Sequence, residues 1–158
     1  MKKVSKQHHV LSLFIALTAI VSTLVFPANA ANRTDTDFNS EPFIISVSAF
    51  TTISPRQKDD ESAIYMVISE SKNVKVFVQA LGAKTKSGTY TNRTVLKNGV
   101  SVGNVECQKN TSYAIHSVIH EKSESWAKLG FKSSKGVDNI NGWWSPDSTN
   151  SPKYVDAQ

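Results

Sequence analysis

The stretch that most constrains the fold is Tyr113 to Phe131, Y-A-I-H-S-V-I-H-E-K-S-E-S-W-A-K-L-G-F, which holds two alternating apolar patterns on either side of one polar turn. Successive side chains of a strand point to opposite faces, so Tyr113, Ile115 and Ile119 share one face of the first arm. Ala127, Leu129 and Phe131 share one face of the second. With Glu121-Lys122-Ser123-Glu124 as the turn, the pattern predicts a hairpin whose apolar sides meet a common core. Its other sides carry His116, His120, Trp126, Lys128 and Lys132, a polar and partly basic surface. Ile115, Val118 and Ile119 also fit helical spacing after Asn110, so the first arm has a helical alternative, with the strand favoured. The choice bears on chemistry. On a strand His116 and His120 stand about 13 Å apart, beyond the reach of one metal ion.

The chain begins differently. Lys2, Lys3 and Lys6 precede an uncharged, mostly apolar run from Val10 to Phe26, and Ala28-Asn29-Ala30 supplies a small-x-small cleavage pattern. Residues 1–30 therefore read as a signal peptide cleaved after Ala30, giving an extracellular protein with no membrane segment left after cleavage. Without the three leader lysines, Lys and Arg exceed Asp and Glu by only two, and the remaining lysines are scattered singly. A nucleic-acid partner is not expected from such a distribution. The lone Cys107 cannot form an internal disulfide and reads as a small buried side chain. The length left after cleavage suits one domain able to bury a core.

Residues 31–42 read as a flexible lead-in. Asp35, Asp37 and Asn39 have the spacing that opens a calcium loop, but Ser40 and Ser46 stand where glycine and a bidentate glutamate belong. Phe43 to Phe50 reads as a strand, Thr51 to Ser62 as a long exposed loop, and Asp59 and Asp60 as solvated loop carboxylates. Ala63 to Ser69 is nearly continuous in apolar and β-branched residues, which predicts a central strand covered on both faces. Ser71-Lys72-Asn73 then predicts a hairpin into Val74–Leu81, and Asn98-Gly99 predicts a two-residue type I′ turn. Residues 43–148 form the expected domain, with 149–158 as a frayed tail.

The fold expected from seven or eight short strands and no long helix is an all-β, antiparallel β-sandwich, with a partly open barrel as the alternative. Of the tandem Trp143 and Trp144, a strand would bury one and expose the other, and the sequence does not say which. An exposed tryptophan could stack on sugars or sit at a partner interface.

The terminal Gly142, Trp144, Ser145, Pro146, Asp147 and Ser148 carry a resemblance. The chain resembles small exported proteins of Gram-positive bacteria, grouped as domain-of-unknown-function families, in which a secreted β-rich domain ends in a similar Gly-x-Trp-Ser-Pro-Asp-Ser motif. Members of this kind are sometimes encoded near peptide-export or bacteriocin-type transport systems, which implies an extracellular binding, toxin or immunity role. The doubled tryptophan and the extension beyond Ser148 depart from that pattern.

The resulting expectation is a secreted, non-enzymatic binding module that contacts cell-wall polymer or an extracellular protein through Trp143, Trp144, Trp126, His116, His120, Lys128 and Lys132. A bacteriocin-like effector or its immunity partner is the alternative. No Ser-His-Asp, Cys-His or metal-ligand spacing supports a hydrolase, and no cofactor or metal is expected.

Overall fold

A computed structural model describes residues 35–38, 43–148 and 153–158; the expected signal peptide lies outside these residues. Two six-stranded sheets stack as a β-sandwich. In the first, β11 (Asp138–Ser145), β5 (Ile64–Glu70) and β9 (Ser112–Ile115) lie side by side, with β1 (Thr36–Asp37) and β2 (Phe43–Ile45) flanking β11 and β12 (Val155–Asp156) flanking β9. In the second, β10 (Trp126–Ser133) pairs with β6 (Lys75–Ala83); β3 (Thr51–Thr52) and β4 (Arg56–Gln57) flank β10, while β7 (Thr91–Asn92) and β8 (Val105–Gln108) flank β6. All pairings are antiparallel except that of β12 with β9.

The core is built by the alternation visible in the sequence. Ile64, Met66 and Ile68 of β5, Tyr113 and Ile115 of β9, and Ile140 and Trp144 of β11 face Val76, Val78 and Ala80 of β6 and Ala127, Leu129 and Phe131 of β10. Cys107 is fully buried among them, and burial pushes its thiol above the ordinary value, so it behaves as an apolar group.

Several expected connections are overturned. Tyr113 to Phe131 is not a hairpin, because β9 belongs to the first sheet and β10 to the second. The two apolar faces do meet, but across the sandwich, and a 3-10 turn at His120–Lys122 carries the chain over. Ser71-Lys72-Asn73 is likewise an arch between sheets, since β5 and β6 lie in different ones. Alternation tells which way a side chain points and says nothing about which strand it pairs with.

Phe43 to Phe50 is not one strand. Pairing ends at Ile45, and the chain bends over residues 47–49 to reach the second sheet at Thr51. Thr51 to Ser62 is not an exposed loop: Thr51–Thr52 and Arg56–Gln57 pair with β10, Ile53 is buried and Lys58 is only 1% exposed. Outward-facing Tyr65, Val67 and Ser69 are half-buried, so β5 is covered fully on one face only. Two segments beyond 43–148 also join the sheets: Thr36–Asp37 pairs with Trp143 and Trp144, and Val155–Asp156 pairs with Tyr113 and Ala114.

The Asn98-Gly99 turn is of a different type from the one expected. Gly99 donates its N–H to Leu96 O at 2.8 Å and Leu96 donates to Val100 O at 2.8 Å, so the loop is Lys97-Asn98-Gly99. Only Gly99 has positive φ, at 83°, which matches a turn closed by one left-handed residue.

Asp138 holds the β5–β6 arch in place. Its carboxylate accepts the Ser71 hydroxyl at 2.7 Å, the Lys72 amide at 3.0 Å, and the Asn73 amide and side chain at 3.0 and 2.9 Å. Burial pushes this carboxyl up, but those hydrogen bonds outweigh it and bring it below the ordinary carboxylate value. A depressed folded-state value stabilises the fold above an unfolded pKa of about 3.9, and the contribution is lost as pH falls through the lower folded value. Urea unfolding at a series of pH values should therefore show an acid-side loss of stability that is smaller in Asp138→Asn. An identical acid dependence in the two proteins would remove Asp138 as its source.

Candidate functional site

The expected site residues do not form one surface. Trp144 is 1% exposed and lies in the core, whereas Trp143, 44% exposed, stands on the outer face of the first sheet. One tryptophan is thus core and the other is not. His116 binds the Asp156 carboxylate through Nε2 at 2.8 Å beside β12, and His120 is exposed on the 3-10 turn. His116 does not join Trp126, Lys128 and Lys132, because it follows β9 of the first sheet and binds Asp156, and His120 lies on the 3-10 turn between the sheets and on no strand face. Among the described residues, no three His, Cys, Asp or Glu side chains are grouped to hold a metal ion.

Trp126, Lys128 and Lys132 do share a face, and the fold adds to them. Inward Ala127, Leu129 and Phe131 force their neighbours to the outer side of the second sheet, where β6 contributes Phe77 and Gln79. The Lys128 ammonium lies 4.2 Å from the Tyr90 ring centroid, Lys86 lies 5.7 Å from that of Trp126, and Lys132 lies 5.9 Å from that of Phe50. Such contacts contribute about 0.5–1 kcal/mol each at exposed sites and leave the charge unneutralised. Partial burial pushes the Tyr90 phenol above its ordinary value, so it remains uncharged beneath Lys128. On this face Lys75 pairs with Glu106 at 2.9 Å; Lys86, Lys128 and Lys132 have no carboxylate partner among the described residues. Lys128 and Lys132, four residues apart on one strand face, are spaced by about 13 Å. Lys86, Tyr90 and Phe50 were not singled out by the sequence, because they come from loops whose direction only pairing fixes.

The terminal motif occupies a different place. Gly142 lies so close to the Val67 carbonyl and the Phe38 ring that a Cβ there would overlap both. Gly142→Ala should consequently cost about 1–3 kcal/mol or more, read as a lowered thermal midpoint. An unchanged midpoint would mean that β5 and β11 can move apart freely. Asp147 is fully buried, and its Oδ1 accepts the Lys58 ammonium at 2.9 Å. Lys58 Nζ also donates to Ser62 O at 2.6 Å and Pro146 O at 2.9 Å. The amides of Asp59 and Asp60 donate to Asp147 at 3.1 and 3.4 Å, Ser145 Oγ donates to the Asp147 carbonyl at 2.8 Å, and Ser148 N donates to Ser62 Oγ at 2.9 Å. Arg56 donates to the Trp144 carbonyl at 3.3 Å with its guanidinium 5.7 Å from the indole centroid.

This motif therefore clamps the end of β11 in the first sheet to the segment after β4 in the second. It is fold machinery on the evidence of its burial, and the solvated reading fails for Asp60, whose carboxylate accepts the Ser62 amide at 2.8 Å, whereas Asp59 enters the clamp only through its backbone amide. The sequence offers little signal for it, since Lys58 sits in a charged, proline-containing stretch.

Neither curated proteins nor solved structures give a match to this chain. A family described as Protein of unknown function (DUF2712) matches residues 26–148, the span that runs up to the last residue of the Gly-x-Trp-Ser-Pro-Asp-Ser motif, and the chain belongs to that family.

Proposed function

We propose that this chain is an exported, non-enzymatic module that binds an anionic polymer of the cell envelope through the outer face of its second sheet. The observation that carries the reading is the row of Lys86, Lys128 and Lys132 laid over Trp126, Tyr90 and Phe50. Ring contacts hold the ammonium groups in place while leaving their charge available, which lowers the ordering cost of meeting a polyanion. The spacing of about 13 Å along β10 suits repeated charges on an extended polymer better than a single small anion. Export rests on the basic, apolar and Ala-x-Ala pattern of residues 1–30.

Retention on isolated wall material tests the reading. Wild-type protein should be retained at low salt and released as salt rises, because exposed charges are screened within about 10 Å at 0.1 M. Trp126→Ala should weaken retention, and Trp143→Ala, on the other sheet, should leave it unchanged. Equal loss in both variants, or retention indifferent to salt, would contradict the assignment of the face.

A further inference from the structure

The clamp holds more chemistry than an ion pair requires. Lys58 and Asp147 are both 0% exposed at their side chains, with Nζ 2.9 Å from Oδ1. A third ionisable group, Asp60, shares the cluster. Partial burial pushes its carboxyl up, but hydrogen bonds with Ser62 and Asp147 and the Lys58 charge bring it below the ordinary value. Asp60 also accepts the Ser62 amide at 2.8 Å, which fixes its position.

We propose that Lys58 and Asp147 join in an intramolecular amide bond, with Asp60 as the proton carrier, so that the two sheets are covalently linked. The geometry supplies the reacting pair and the groups that orient it, and Asp60, held two residues along the same segment with its amide 3.4 Å from Asp147 Oδ1, is the neighbouring acid. Passing one proton from the ammonium to the Asp147 carboxylate gives an amine beside a carboxylic acid with no net change of charge. The amine keeps two N–H groups, and the carbonyls of Ser62 and Pro146, at 2.6 and 2.9 Å, accept them. Its freed lone pair lies on the side of Asp147, with Oδ1 2.9 Å away, and a turn of the carboxyl about Cβ–Cγ presents Cγ to it. Attack of Nζ on Cγ forms the new C–N bond and places negative charge on Oδ2, which receives the Asp59 amide N–H at 3.1 Å. Asp60 takes a proton from the nitrogen and returns it to Oδ1, the C–Oδ1 bond breaks and one water leaves. The amine and the acid are consumed, one amide and one water form, and neither an oxidant nor a further reactant is needed. Exclusion of solvent from both side chains disfavours the reverse hydrolysis.

The link would close a loop between residues 89 apart in sequence. Cys107, the single cysteine, cannot supply an internal disulfide to do the same. This inference rests on the clamp alone and is independent of polymer binding.

The test is the intact mass of the purified chain under denaturing conditions, set against a Lys58→Arg variant prepared identically and corrected for the substitution. Wild type should be lighter by one water, and a proteolytic digest should contain one branched peptide joining Lys58 to Asp147. Asp60→Ala should show the full mass. Wild-type protein at its full sequence mass, or a link mapped to another pair, would overturn the proposal. A fully linked Asp60→Ala would overturn the assignment of Asp60.

Discussion

Relative to the chain in which Lys58 and Asp147 are still an unlinked ion pair, Asp147→Ala should destabilise the protein by about 3–5 kcal/mol, the usual cost of removing one partner of a buried charge pair. The reason is the ammonium left behind. Lys58 is 1% exposed and would keep the uncharged carbonyls of Ser62 and Pro146 as hydrogen-bond partners, with only the partly buried Asp60 as a nearby negative charge. Against a typical total of about 5–15 kcal/mol, a loss of that size removes a large share of the stability. It should appear as a large drop in urea midpoint with little change in slope. Replacing both partners, Lys58→Met with Asp147→Leu, should cost clearly less than the single change, because no charge remains buried. A double variant as unstable as Asp147→Ala would show that the surrounding hydrogen bonds, and not the buried charge, dominate the clamp.

Joint substitution of Lys86, Lys128 and Lys132 by glutamine should weaken retention on anionic wall polymer by roughly ten- to a hundredfold, taking about 0.5–1 kcal/mol for each exposed ion pair lost. Glutamine keeps much of the side-chain length, and the three lysines make no ion pair among the described residues, so the thermal midpoint should fall only by what the three ring contacts contribute, about 0.5–1 kcal/mol each, with the fold intact. The remaining binding should also depend less on salt. If retention is unchanged while the fold is intact, the outer face of the second sheet is not the contact surface.

These two expectations separate the motif from the surface, and the sequence prepared only part of that separation. Inward residues were legible wherever strict alternation ran for several positions, as in Ala127-x-Leu129-x-Phe131 and Val76-x-Val78-x-Ala80. Strand partners were not legible. Short polar segments such as Ser71–Asn73 and Glu121–Glu124 join hairpins and inter-sheet arches equally well, and here they serve arches. The arch at Ser71–Asn73 is fixed by Asp138, a carboxylate 65 residues from Asn73, so no local pattern announces it. Lys58 is hidden for the same reason: its partner lies 89 residues away, in a segment whose local pattern signals no more than a turn.

For the surface, Trp126, Lys128 and Lys132 are legible as one strand face, but the alternation that predicts a hairpin also groups His116 and His120 with them. The arch between sheets takes His116 to Asp156 and leaves His120 on the 3-10 turn, while Lys86, Tyr90 and Phe50 join the face through ring contacts that loops create. The tandem tryptophans divide as strand geometry requires, and the pairing of Trp144 with Met66 of β5 sets it among the inward residues of both strands.

Binding of polymer on the outer face of β10 and β6 is open to residue-resolved NMR of the isotope-labelled chain titrated with poly(glycerol phosphate). Amide shifts should concentrate at Phe77, Gln79, Lys86, Tyr90, Trp126, Lys128 and Lys132 and be reversed by added salt. Shifts gathered instead around Trp143, Tyr65 and Val67, or none at all, would contradict it.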